Sequence, residues 1–172
     1  MERPDFVHLH LHSEYSLSDG IIRIKELVSR ASSLQYSAVG LTDLTNLFGL
    51  LEFYRSSREK GIKPIVGAEV NVIKDKDSLP APIVLLVKDK QGYINLTKIV
   101  SKAYVDGQVN GEPMVELSLL QKYSEGLIAL SGGMEGHVGQ SILAGNIPLT
   151  ESRIKFFKSI FDEDFFIEVH RL

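Results

Sequence analysis

Cysteine is absent from the 172 residues, which excludes a disulfide framework and any thiolate metal site. A long apolar run is missing too. No stretch approaches the roughly 20 residues of a membrane span, and the opening MERPDFVHLH lacks the apolar core of a signal peptide. Both absences favour a soluble, intracellular protein, cytoplasmic and without a membrane partner. There is no surplus of positive charge: 19 Lys plus Arg stand against 22 Asp plus Glu, a net charge of -3. No global field therefore draws the chain onto a phosphate backbone, and any nucleic-acid role must be local or indirect. SGGMEG (131–136) lacks the GKS or GKT ending of a phosphate-binding loop, and no GxSxG elbow occurs.

What is present reads as one ordinary globular domain spanning 1–172, with 44% hydrophobic and 24% charged residues. FVHLHLH (6–12) alternates strictly, the pattern of a strand with His8, His10 and His12 on one face. Ser18 and Asp19 offer N-cap chemistry to a helix striped by Ile24, Leu27, Val28 and Ala31. SAVGLTD (37–43), IKPIVGAEVNV (62–72), IVLLV (83–87), GLIALSG (126–132) and FFIEVHRL (165–172) read as further strands. Helices are expected over 47–60, 92–104, 117–122, a short one closing at 141–145, and 152–161, with KDKDSLPAP (74–82) as a loop. This alternation predicts an α/β fold with a largely parallel sheet or barrel. A closed (β/α) barrel takes about 250 residues, and FFIEVH has no helix after it to cover it, so the expectation is a fragment of a longer polypeptide.

The sharpest chemical signal is His10-Leu-His12 followed by Asp19. Imidazoles two residues apart on a strand stand on one face about 7 Å apart at Cα, close enough to share a divalent metal of the zinc or manganese class. A polar strand face with hydrogen-bonding histidines fits the same pattern. Asp43 and Glu69 fall at or near strand ends, where ligands gather in parallel α/β folds. For Asp43 a helix cap is the better reading; Glu69 suits a ligand, a buried pair or a rim carboxylate. His137, among glycines, reads as a loop or helix-start residue, and His170 as a satisfied strand-end histidine.

HLHLHSEYSLSDG (8–20), GLTDLTNLFGLLEFYRSSREKGIKPIVGAEVNV (40–72), GYINLTKIVSKAY (92–104) and EGLIALSGG (125–133) together resemble the N-terminal PHP (polymerase and histidinol phosphatase) domain of bacterial C-family replicative polymerases, the DNA polymerase III alpha subunits. The resemblance implies a distorted seven-stranded (β/α) barrel of TIM-like type, here truncated at its C-terminus, with a cluster of divalent metals at one rim. It implies ligand positions at His10, His12, Asp19 and Glu69. At three other ligand positions stand Leu44, Pro82 and Gly133, whose side chains have no lone pair for a metal. It further implies a degenerate domain with no catalytic residue of its own and at most weak Zn or Mn. The implied partners are the rest of a Mg-dependent DNA-synthesising chain, a proofreading exonuclease subunit, and DNA and the sliding clamp through the parent chain. A residual metal-dependent 3′-5′ exonuclease, phosphoesterase or pyrophosphatase is the alternative, and a free-standing sugar-phosphate phosphatase a more distant one.

Overall fold

Apolar spacing and local capping account for the first elements. Ser13 caps a 3-10 helix over Glu14–Asp19, its side chain accepting the Tyr15 N–H. Helix α1, Ile24–Ser33, starts from Arg23 without a side-chain cap and buries Ile24, Val28 and Ala31. Ser18 and Asp19 therefore lie in a separate turn and do not cap α1, a correction to the expectation from sequence. Strand β1, Ala38–Leu41, is buried along its length. Helix α2, Leu50–Glu59, is followed by Gly61 at φ +72°, a backbone conformation that glycine adopts without a Cβ penalty. Strand β2, Lys63–Ile73, pairs in parallel with β1 from Ala38↔Lys63 to Leu41↔Val66.

The computed structural model describes residues 6–74 and 78–170; part of the expected 74–82 loop and the end of FFIEVHRL lie outside them. The chain divides into two compact units, Met1–Ala68 and Glu69–Leu172. In the first, Ile24, Val28, Ala31, Val39, Leu41, Phe53 and Ile62 form one buried cluster, with Leu11, Tyr15, Leu27 and Tyr36 packed on it. These come from both helices, β1 and the approach to β2, so burying the α1 and α2 stripes is what folds this unit.

FVHLHLH does not form a regular strand, contrary to its alternation. It runs beside β1, where Gly40 N–H donates to the His8 carbonyl at 2.7 Å and Thr42 N–H to the Leu11 carbonyl at 2.9 Å. The Leu11 N–H, however, goes to the Thr42 hydroxyl at 2.8 Å. A side chain thus takes the place of a ladder carbonyl, and the pairing stops there.

In the second unit the rest of β2 pairs in parallel with a short strand, Val115–Glu116, through Val72↔Val115 and Ile73↔Glu116. Strand β3, Ala81–Val87, precedes α3, Lys90–Val105, which Asp89 caps by accepting the Gly92 N–H. Strands β4, Gln108–Val109, and β5, Glu112–Pro113, form a hairpin turned by Asn110 and Gly111, both at positive φ, as a tight primed turn requires. Then follow β6, Val115–Glu116, α4, Leu117–Lys122, β7, Leu127–Leu130, α5, His137–Leu143, α6, Ile147–Phe161, and β8, Phe165–Phe166. Neighbours run β2, β3, β7, β8.

Strand β7 is antiparallel to β3 and parallel to β8, so the sheet is mixed rather than largely parallel. FFIEVH contributes only Phe165 and Phe166 to it. After them the Glu168 N–H donates to the Ser131 hydroxyl at 2.9 Å, again a side chain in place of a ladder carbonyl. No helix among the described residues is long and apolar enough to cross a membrane.

Two predictions follow from packing. A Cβ at Gly40 would meet the Leu9 carbonyl oxygen at 2.7 Å and the His8 oxygen at 3.1 Å. Backbone must move to admit it, so Gly40→Ala is expected to cost about 1–3 kcal/mol in urea unfolding. His137 opens α5, as its sequence context implied, and stacks on Phe157 at 6.0 Å. Burial holds its pKa below the ordinary value, the Arg153 charge adds to this, and a hydrogen bond from the imidazole to the Val72 backbone opposes it. The unfolded chain therefore takes up a proton near pH 6.5 that the native state refuses. Its contribution to stability is present above that pH and is lost as pH falls toward the lower native value. The melting temperature should drop on acidification through this window, and more steeply than in His137→Gln.

Candidate metal site

Asp43 lies two residues beyond β1 and is buried, with 2% exposure. Its Oδ1 accepts the Ser13 backbone N–H at 2.6 Å and the Ser16 hydroxyl at 2.7 Å, and Oδ2 accepts the Ser13 hydroxyl at 2.8 Å. Burying a carboxylate is costly unless donors replace its water, and here serines of the 13–16 turn supply them. The Leu44 N–H donates to Ser16 Oγ at 3.0 Å, and Asn46 Nδ2 donates to the Tyr15 and Leu44 carbonyls. The segment 43–46 is thereby fastened to the turn that follows His12. Asp43 is neither the helix cap favoured from sequence nor turned toward the histidines: its oxygens are spent on serine donors.

That clamp sets the position of His12, the residue before Ser13. His10 and His12 pack edge to face, with ring centroids 5.3 Å apart, and each offers a ring nitrogen within 4.8 Å of the other's. The Asp19 carboxylate, on the exposed end of the 3-10 helix, sits 2.8 Å from His12 Nδ1. The backbone detour at Leu17, φ 55° and ψ -100°, interrupts that helix just before Asp19. Asp19 is therefore brought to His12, and His10 packs on His12, through a turn and not a strand face. His8 is exposed and faces Phe6 and Tyr36 edge on.

Glu69 is half-buried on β2, three residues past Val66, where the pairing with β1 ends. Leu44 is half-buried and hydrocarbon. In the second unit Pro82 lies on β3, and its carbonyl approaches Gly132 so closely that a Cβ there would come within 2.2 Å. Gly133 follows at φ +59°. A Cβ on it would fall 2.9 Å from Cε1 and 3.1 Å from Nδ1 of His170, so that imidazole fills the space where a side chain at 133 would stand. His170 Nε2 lies 2.8 Å from Glu168 Oε1. The sequence reading of His170 as a satisfied histidine fits this pairing, though it did not name Glu168; the i, i+2 spacing of the two, the same as that of His10 and His12, was the available signal.

The imidazoles of His10 and His12 are donors of the kind that zinc or manganese takes. Asp43→Ala is expected to destabilise the fold by about 2–3 kcal/mol by orphaning buried donors, whereas Asp19→Ala, 62% exposed, should stay within about 1 kcal/mol of wild type. Chemical denaturation of both variants checks the difference.

The chain is 42% identical to DNA polymerase III subunit alpha of Escherichia coli K12 and 39% identical to that of Vibrio cholerae, in each case over 173 aligned residues covering 99% of this chain and 15% of the relative. It thus spans about a seventh of the length of these curated relatives. Among solved structures, an amidohydrolase from Chromobacterium violaceum is 22% identical, covering 91% of this chain and 50% of that one, with a TM-score of 0.47. The family model for the PHP domain matches residues 8–172. The chain belongs to the PHP domain family, in the form found in DNA polymerase III alpha subunits.

Proposed function

We propose that the chain is the N-terminal PHP domain of the catalytic alpha subunit of a bacterial replicative DNA polymerase, a distorted (β/α)7 barrel in its complete form. In this reading it is a scaffold whose metal site has degenerated, and it docks the proofreading exonuclease subunit. Likeness to polymerase alpha subunits across 99% of the chain supports the first part. The observation that carries the second is the set Leu44, Pro82 and Gly133 at positions where the family resemblance calls for ligands. Metal-dependent hydrolysis needs enough donors to fix the ions and hold a water of lowered pKa.

His10, His12, Asp19 and Glu69 are the remnant ligand positions. If zinc or manganese binds them, it supplies charge to polarise a phosphate ester; the residues themselves hold and orient it, with the Asp19 carboxylate fixing the His12 ring. The parent polypeptide carries out DNA-directed DNA synthesis with Mg, meeting DNA and the sliding clamp through regions outside this chain, in the cytoplasm.

A second reading, a residual metal-dependent 3′-5′ exonuclease or phosphoesterase, draws on the close approach of His10 and His12. The two separate by assay. With added Mn²⁺ the chain is expected to leave single-stranded DNA and a chromogenic phosphate ester intact, and to retain the exonuclease subunit in a pull-down. Turnover that disappears in His12→Ala would replace the scaffold reading with the second one, and a pull-down without retention would remove the docking claim.

A further inference from the structure

Helix α2 of the first unit buries one stripe, through Phe53 and Ser57, and leaves the opposite stripe in water. Residues 48, 51, 55 and 58 recur at the three- and four-residue spacing that sets side chains on one face of a helix. Phe48, in the turn that enters α2, is 70% exposed and Leu51 60%; Tyr54, at the edge of the same face, is 50% exposed. Arg55 and Arg58 continue the stripe and are exposed as well. Single apolar residues at a surface are ordinary, whereas neighbouring ones mark places where another molecule binds.

Local structure holds Phe48 outward. Its N–H donates to Asn46 Oδ1 at 3.1 Å, and Asn46 Nδ2 donates to the Tyr15 and Leu44 carbonyls. Gly49 is turned to the core, where a Cβ would meet Ile24 Cδ1 at 2.6 Å and Tyr15 Cδ2 at 2.8 Å. The core takes residue 49, and the ring before it stands at the surface on a fixed backbone, so little backbone ordering is left to oppose binding. The exposed charge beside it is mostly of one sign, Arg55, Arg58 and Lys60 against Glu59. Glu52 pairs with Lys25 of α1 at 3.9 Å. Among the described residues neither arginine has a carboxylate within ion-pair distance.

We propose that the outer face of α2 and the turn before it dock an acidic, apolar helical segment of a separate polypeptide. Phe48, Leu51 and Tyr54 take its apolar side chains, and Arg55 and Arg58 its carboxylates. This goes beyond the scaffold reading, which names no surface. Charge selects the occupant. In a two-fold contact between copies of this chain the same patch would face itself, setting arginines against arginines or hydrocarbon with no acid to receive them. Aromatic anchors mixed with arginine are the composition of an exchangeable contact, whereas permanently covered faces are more uniformly apolar. A straight helical face is in turn suited to a second helix laid along it.

The probe is a fluorescein-labelled synthetic helix of about four turns, with Leu at i, i+3 and i+7 flanked by Glu, set beside a version with Lys for every Glu. Added to the 172-residue chain, the Glu peptide should bind by anisotropy, more weakly as salt rises, and the amide resonances that move should lie within 47–60. Leu51→Ser should weaken it at least about 10-fold with the melting temperature unchanged, since the side chain is exposed. Arg55→Glu combined with Arg58→Glu should lose the Glu peptide and gain the Lys peptide, an exchange that a merely structural effect does not produce. The proposal is overturned if the wild-type chain leaves the Glu peptide unbound or binds both peptides alike, if the shifts fall on other elements, or if Leu51→Ser binds undiminished. Self-association in sedimentation that Leu51→Ser abolishes also overturns it, making a second copy the occupant. The exonuclease pull-down can fail while the Glu peptide binds, so the two claims fall separately.

Discussion

The buried Asp43 carboxylate receives the Ser13 backbone N–H and the hydroxyls of Ser13 and Ser16, and the histidine end of the first unit is organised around it. Removing one oxygen acceptor from that set would strand several donors away from water, each costing about 1–3 kcal/mol. The carboxylate sits just past β1, whose four residues are buried, so the rigidity of the core passes directly to the turn that carries Ser13. His12 is covalently next to that turn. His12 is placed by a polar network resting on an apolar core, the usual way to hold side chains with useful accuracy.

The same device recurs in the second unit. Thr42 takes the Leu11 N–H and Ser131 takes the Glu168 N–H, so in both units a hydroxyl replaces a strand carbonyl where a histidine segment leaves the ladder. A regular strand would have sent alternate side chains to opposite faces and continued the pairing. Ending the ladder early frees the backbone to turn His10 and His12 edge to face, and lets the His170 ring settle over Gly133.

Much of the helical pattern was legible because it follows from apolar spacing, as in the stripe of Ile24, Val28 and Ala31. FVHLHLH and FFIEVH were less legible. Their alternation is the proper signature of a strand, and what cut them short is a hydrogen bond from a residue some 30 positions away. The antiparallel pairing of β3 with β7 is a tertiary choice that alternation of helices and strands does not encode. At the site, His10, His12 and Asp19 could be named from spacing. The role of Asp43 could not, since its serine donors identify themselves only when the turn is folded, and His170 gained meaning only from its position over a glycine 37 residues earlier.

Asp19 and the Asp43 clamp hold His12 in a single orientation. The most direct measurement is the tautomer of His12, read from its ring ¹⁵N shifts near neutral pH in the metal-free chain. A proton on Nδ1, directed at Asp19 2.8 Å away, with the lone pair on Nε2, is the predicted result. A ring averaging between tautomers, or one protonated on Nε2 alone, would contradict it.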